Sequence, residues 1–482
     1  MKKFLFLAVI FSLLVFACDF FNTAPPNITW NIPAVLEDTY NEGDIQQFWA
    51  QDLTNRKYYQ LDAVLLYKGI HCNIWVEQED GENAATKEQA EKMADTYDNE
   101  IYEKLINAFS YDFLFDDGNF YNVMQVADFM GDQNGKLCIL LLDIRDGFEY
   151  SGGYVAGYFD QINFFDNYFG SNKRDIIYVD TVPGNPGTED ANKIMAHEMQ
   201  HLMNFVTSYM FYTMGRRNRP MDLWINEGLS TAAEWIYSEN YDNGRIDWYN
   251  TDYYGTIAKG NNFFVWDNYR SIDPEVVLDD YATVYLFFQW LRLQAGGIDI
   301  YESITNSRFY DYRAVTNAAK LFINSNYGDW STLLETWLAA NFINAESGTY
   351  GYLNEDELNT IKKHYAPSGS GSILLYPGEG VYSYATVPYD IPGSFGDIRY
   401  SGIDNKSLVP VDKFISAGKI LLTFNANPQI RGAQQMGTIT GNPPPFGHRD
   451  IISLPRTSVG FYAISAGEMR GRSEHWEESS ER

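Results

Sequence analysis

The chain contains the string His197-Glu198-Met199-Gln200-His201, and Glu227 follows 26 residues after the second histidine, within Trp224-Ile225-Asn226-Glu227-Gly228. On a helix, positions i and i+4 share a face, so His197 and His201 can turn two imidazoles toward one ion. Glu198 is one residue round from His197. Its carboxylate can reach a water in the site without being a ligand. A catalytic zinc keeps three protein ligands and one open position, and Glu227 is the candidate for the third. The gap is long enough for a turn and a second helix packed across the first. A fold that satisfies this string must therefore bury two crossing helices. The alternative is a surface helix with two solvated histidines. The flanks, Ile194-Met195-Ala196 and Leu202-Met203, are apolar and argue against it. Buried histidines and a buried glutamate need partners.

Met195 to Leu202, taken with Leu223-Trp224-Ile225-Asn226-Glu227-Gly228-Leu229-Ser230, resembles the gluzincins, zinc peptidases whose third ligand is a glutamate. Within them the chain most resembles the hyicolysin-type family of secreted bacterial peptidases. Gly69 to Val76, Val155 to Phe159 and Ile176 to Asp180 resemble that family's segments ahead of the active-site helix. Tyr281 to Leu291 and Thr336 to Asn341 resemble helices after it, so the likeness spans about residues 45–390. The resemblance implies Zn2+ held by His197, His201 and Glu227, with Glu198 as general base and protein or peptide as substrate. It also implies an oxyanion-stabilising Tyr or His. Tyr281 and Tyr285, at i and i+4, are the candidates, followed by His364. The aminopeptidase group shares Trp-x-Asn-Glu-Gly, but its upstream Gly-x-Met-x-Asn segment is absent here. The thermolysin-type group places an Asp four residues after the third ligand, where this chain has Thr231. Both departures favour an endopeptidase. An aminopeptidase, or an adhesin or binding lipoprotein on a peptidase scaffold, are the alternatives.

Metal-binding histidines need an acceptor on the other ring nitrogen. Glu234, Ser230 and Thr231 are candidates, and Asn226 is a candidate for fixing the second helix on the first. Arg216, Arg217 and Arg219 form a basic cluster unusual in so acidic a chain. They are either a solvated turn or a rim for acidic substrate side chains.

The formal charge is −29 and the pI is near 4.5. Such a surface repels phosphates and excludes nucleic acid as a partner. The N-terminus is a targeting segment: Lys2-Lys3, an apolar run from Phe4 to Phe16, then Ala17-Cys18. It is too short to remain as a spanning helix. It resembles a lipoprotein signal, implying removal of residues 1–17, a lipid anchor at Cys18 and a place in the bacterial cell envelope. Ordinary secretion is the alternative, since Phe16 is bulky where a small residue is usual. The remaining Cys72 and Cys138 are either a disulfide or two buried thiols. Nothing in the sequence fixes an oligomeric state.

Organisation follows from the apolar periods. Residues 18–45 suit a tether. Alternating runs at Tyr58–Tyr67 and Asn73–Val76 suggest strands, and Ala85–Phe109 suggests an amphipathic helix. Leu137–Leu142 is continuously apolar, as in a strand buried on both faces. Thr188 is a candidate N-cap, with helices from about Glu189 to Tyr209 and Asp222 to Ser238. Further helices fall at Asp280–Leu293, Ala314–Ile323 and Trp330–Phe342. After the linker-like run at 367–372, runs such as Ile420–Phe424 and Val459–Ile464 read as β. The expected fold is α+β: a zincin-like metallopeptidase domain with a β-rich N-terminal part (46–185) and a helical part carrying the zinc site (186–366). A β-rich C-terminal domain (373–482) follows.

Overall fold

The computed structural model describes residues 38–147 except 56, together with 154–260, 264, 277–366 and 375–384. Short C-terminal stretches at 389–390, 394, 396–403, 408–409, 414–415, 419–428 and 461–463 complete it. The signal segment, Cys18 and the 367–372 linker lie outside the described residues.

The fold is α+β, as expected. Its N-terminal sheet is built from β1 (Ile45–Asp52), β2 (Lys57–Lys68), β3 (Cys72–Glu79), β4 (Leu137–Leu142), β5 (Gly157–Phe159) and β6 (Ile176–Asp180). Their spatial order is β1-β2-β3-β4-β6-β5. β4 is parallel to both β3 and β6, while β5 returns antiparallel to β6. All six β4 residues are buried, because the strand is central and covered on both faces, which accounts for its unbroken apolar run. One face packs Ile74, Ile139 and Ile177 against the helices. The other gathers Phe48, Trp75, Leu140 and Tyr178. Each such side chain contributes about 1.5–3 kcal/mol on burial.

The parallel crossover from β3 to β4 runs through α1 (Lys87–Thr96), a π-helical turn at Tyr97–Ile101, α2 (Tyr102–Phe109) and α3 (Val123–Met130). The expected helix over 85–109 is therefore present with an internal π turn. The short α3 had no clear periodic signal.

The sheet feeds from β6 into α4 (Glu189–Thr213), the longest helix described. Thr188 caps it, its hydroxyl accepting from the Ala191 amide at 3.3 Å, with Glu189 and Asp190 in the first turn. Helices α5 (Leu223–Ser238), α6 (Asn243–Thr251), α7 (Val277–Ala295), α8 (Asp299–Thr305), α9 (Tyr312–Phe322) and α10 (Trp330–Ile343) form the helical lobe. Gly228 on α5 permits the approach of α7: a Cβ there would stand 2.2 Å from Phe288 Cε2.

Beyond the helices, β7 (Gly380–Tyr384), β8 (Ile398–Ile403), β9 (Leu408–Val409) and β10 (Ile420–Asn425) form a second sheet in the order β7-β10-β8-β9. β11 (Phe461–Ala463) pairs antiparallel with β5 of the first sheet. Cys72 and Cys138 are free, buried thiols. Cys138 is in register with Asn73 rather than Cys72. The two thiols therefore enter opposite faces of the sheet and cannot pair.

Candidate metal centre and active site

α4 is buried nearly all round, so its polar residues must find partners inside the protein. They find them on α5. His197, Glu198, His201 and Glu227 are each no more than 1% exposed. Glu227 Oε2 lies 3.5 Å from His197 Nε2 and 3.6 Å from His201 Nε2. These separations exceed a normal hydrogen bond. Within the same triangle, the potential ligand atoms lie within 4.8 Å of one another. His197 Nε2 and Glu227 Oε2 have no hydrogen-bond partner among the described residues. Two imidazole nitrogens and a carboxylate converging at this spacing in a dry interior fit a divalent ion with nitrogen and oxygen ligands, zinc foremost.

The outer nitrogens are occupied. His197 Nδ1 lies 2.6 Å from Glu234 Oε1. A carboxylate only accepts, so Nδ1 carries a proton and Nε2 is the nitrogen that turns to a metal, giving up its own proton when the metal binds. His201 Nδ1 lies 2.9 Å from Ser230 Oγ, which donates its own proton to Gln200 Oε1 at 2.5 Å. The Asn226 amide is 2.8 Å from the same nitrogen and is hydrogen-bonded to Asn204. Of the sequence candidates, Glu234, Ser230 and Asn226 thus meet the histidines. Thr231 instead donates to the carbonyl of Gly228 at 2.9 Å.

Burial alone would depress both imidazoles. On His197 the carboxylates of Glu227 and Glu234 outweigh it and raise the ring to about 9. His201, buried and facing His197, is held well below the usual value. Burial likewise raises Glu227, against the opposing pull of His197 and Tyr281.

The two tyrosine candidates on α7 separate. The Tyr281 hydroxyl is hydrogen-bonded to Glu227, and its ring feels the charge of Glu198. The Tyr285 hydroxyl accepts from the Asp242 amide at 2.8 Å. One helical turn is enough to carry it off the metal triangle. His364 lies instead against Asp252, at 3.9 Å, and against the Tyr249 ring.

Sequence reasoning missed Arg245. It is fully buried, with Nη2 2.8 Å from Glu234 Oε1 and Nε 2.9 Å from Asp242 Oδ2. Its guanidinium also sits 5.5 Å from the Tyr281 ring centre. Asp242 is the N-cap of α6, and an Asp-x-x-Arg at a helix start was the available signal. Arg217 is neither solvated nor a substrate rim. It is 3% exposed and donates to Ser208 Oγ at 2.7 Å and to the Thr305 and Ser307 carbonyls. Arg216 stacks on Phe211, 4.3 Å from the ring centre.

No family model matches the chain. It is 27% identical over 359 residues to the neutral metalloprotease ShpI of Staphylococcus hyicus, covering 72% of this chain and 74% of that protein. With the His–His–Glu triangle, this likeness supports a zinc metallopeptidase that is similar to the hyicolysin type.

Proposed function

We propose that this protein is an exported, membrane-anchored zinc endopeptidase in which Glu198 is the general base and Tyr281 the oxyanion donor. The observation that carries this reading is the placement of Glu198. It is fully buried, adjacent to His197, and close enough in charge to act on both His197 and Tyr281. His197, His201 and Glu227 would hold zinc, which supplies a Lewis acid that polarises a peptide carbonyl and activates water. Glu198 accepts the proton of the attacking water and passes it to the leaving amine. Tyr281 donates its hydroxyl proton to the oxygen that gains charge as the carbonyl becomes tetrahedral. Glu234, Ser230 and Asn226 hold the imidazole planes, and Arg245 holds Glu234. Tyr285 has no part in the chemistry on this reading.

Residues 46–366 are read as the peptidase unit and 373–482 as an appended β-rich region, with β11 returning to the peptidase sheet. Lys2-Lys3, the apolar run and Ala17-Cys18 support export and a lipid at Cys18. Among the described residues no helix is long and apolar enough to cross a membrane, so anchoring on this reading rests on the lipid. Mass spectrometry of the mature N-terminus tests it; an unlipidated chain starting elsewhere ends that part of the reading.

The catalytic assignment is tested with Glu198→Gln on N-terminally blocked peptides. Glutamine keeps the size and can hydrogen-bond water but cannot take its proton. Activity should fall at least about 10²–10⁴-fold with zinc content unchanged. Wild-type cleavage of unblocked peptides alone would mark an aminopeptidase. No cleavage of any peptide in a broad library would favour a binding protein.

A further inference from the structure

A second cluster of acidic side chains lies apart from the zinc triangle. Asp128 stands in the last turn of α3, Asp132 in the tight loop that follows, and Asp175 immediately before β6. One carboxylate oxygen from each falls within 4.8 Å of the others. Oxygens about 2.4 Å from one ion lie no more than about 4.8 Å apart, so the spacing suits a shared calcium.

Asp175 supplies the independent observation. It is 1% exposed, yet its Oδ1 has no hydrogen-bond partner among the described residues. That oxygen points at the loop. It lies 2.8 Å from where a Cβ on Gly131 would stand, and the Asp175 amide nitrogen is 2.5 Å from the same point. Only a glycine lets the loop close over this carboxylate. Asp132 Oδ1 is also buried without a hydrogen-bond partner. Two other carboxylate oxygens hold the loop in shape. Asp128 Oδ1 accepts from the Gly135 amide at 2.7 Å, and Asp132 Oδ2 from Asn134 Nδ2 at 2.8 Å.

The charge is unbalanced. Arg174 brings a guanidinium to Asp132, but at 3.8 Å from Nε to Oδ2. The rest of that guanidinium lies over the rings of Phe48, Tyr40 and Trp75 and donates to the Tyr40 hydroxyl. Burial, then the charges of Asp132 and Asp128, raise the Asp175 carboxyl well above the usual range. Burial, opposed by Arg174, pushes Asp132 up to about 6. Three carboxylates against one cation leave a local charge that a dication would cancel. All the donors are oxygens, with no imidazole or thiolate among them, which selects a hard cation over zinc.

We propose that Asp128, Asp132 and Asp175 form a calcium site that ties the α3–β4 loop to the start of β6. Its role is structural. β4 and β6 are parallel neighbours, and the site clamps the ends at which both strands begin. From β6 the chain runs directly into the loop before α4, so the clamp steadies the strand that precedes the zinc-binding helix. Carbonyls and water would complete the six to eight oxygens calcium takes.

The test uses the full zinc-loaded chain, stripped of calcium with a calcium-selective chelator and titrated with calcium chloride. We expect one calcium per chain beyond the zinc, and a higher melting temperature. Amide exchange should slow at residues 131–136 and 175–176. Asp175→Asn and Asp132→Asn should each weaken calcium binding at least about tenfold, since each removes a charged ligand, with zinc content unchanged. Asp132 is the less buried of the two and is the variant to read if Asp175→Asn does not fold. The proposal is overturned if the wild type binds no calcium up to about 10 mM, well beyond even weak extracellular sites. It is equally overturned if either folded variant binds calcium like the wild type, or if the exchange protection maps elsewhere. The exchange measurement needs only the wild type, so the test stands even if neither variant folds.

Discussion

Glu234 Oε1 lies 2.6 Å from Nδ1 of His197. The same oxygen receives Arg245 Nη2 at 2.8 Å. One carboxylate oxygen therefore joins a ligand imidazole to a buried guanidinium. The contact keeps the Nδ1 proton of His197 in place and makes its Nε2 a better donor to a metal.

Glu234→Gln should therefore weaken zinc binding about 10–100-fold, the usual effect of losing an outer partner of a ligand histidine. Competition with a chromogenic chelator measures it. An unchanged zinc affinity would show that the contact does not orient the ring.

Arg245→Met removes the cation that Glu234 and Asp242 share in a region 0% exposed at the arginine. Breaking one side of a buried ion pair costs about 3–5 kcal/mol, because the remaining charge stays desolvated. Denaturant melts of the zinc-free protein should show that loss. A companion Glu234→Gln/Arg245→Met variant should recover part of it, since one orphaned charge is gone.

The zinc ligands were legible because their spacing is local: an i,i+4 pair on one helix, and a glutamate on the next. Leu137–Leu142 was legible because a strand covered on both faces must be apolar throughout. Arg245 was not, since its partners lie on α5 and at the cap of α6, and no periodic pattern links them. Tyr281 and Tyr285 looked equivalent on a helical wheel. They separate only because the Asp242 amide sits where the second hydroxyl arrives. The arginines after α4 read as solvated or substrate-facing because composition cannot show that the Thr305 and Ser307 carbonyls converge on Arg217.

Zinc binding should depend on pH with a release of one proton, not two. In the metal-free chain His197 is raised to about 9 and His201 is held well below its ordinary value. Below pH 9 the metal must displace the His197 proton, while His201 is already neutral. Affinity should rise about tenfold per pH unit between about 7 and 9 and then level off. Chelator competition across that range checks the slope. A hundredfold rise per unit would mean that both imidazoles are protonated before the metal arrives.

Arg217→Met should destabilise the protein without touching catalysis. It leaves the Ser208 hydroxyl and the carbonyls of Thr305 and Ser307 without their shared donor. Hydrogen bonds to a charged group contribute about 1.5–3 kcal/mol, and a loss of that order should appear in a thermal melt. Under conditions where the variant is folded, kcat/KM for neutral and acidic peptides should both match wild type. A selective loss on acidic peptides would restore the substrate-rim role.

The last prediction separates the two tyrosines of α7. Tyr281→Phe removes a hydroxyl hydrogen-bonded to Glu227. If that hydroxyl serves the developing oxyanion, kcat should fall about 10²–10³-fold with little change in KM, because the contact strengthens only in the transition state. Zinc content should stay at one per chain. Tyr285→Phe removes the acceptor of the Asp242 amide and should lower stability by about 1 kcal/mol while leaving kcat near wild type. The two substitutions are chemically identical and one turn apart, so general disturbance of α7 would affect them alike. If Tyr281→Phe loses zinc in step with activity, its hydroxyl serves to place Glu227, and the oxyanion assignment fails. If both variants keep full activity, neither tyrosine meets the substrate, and the donor belongs to another residue.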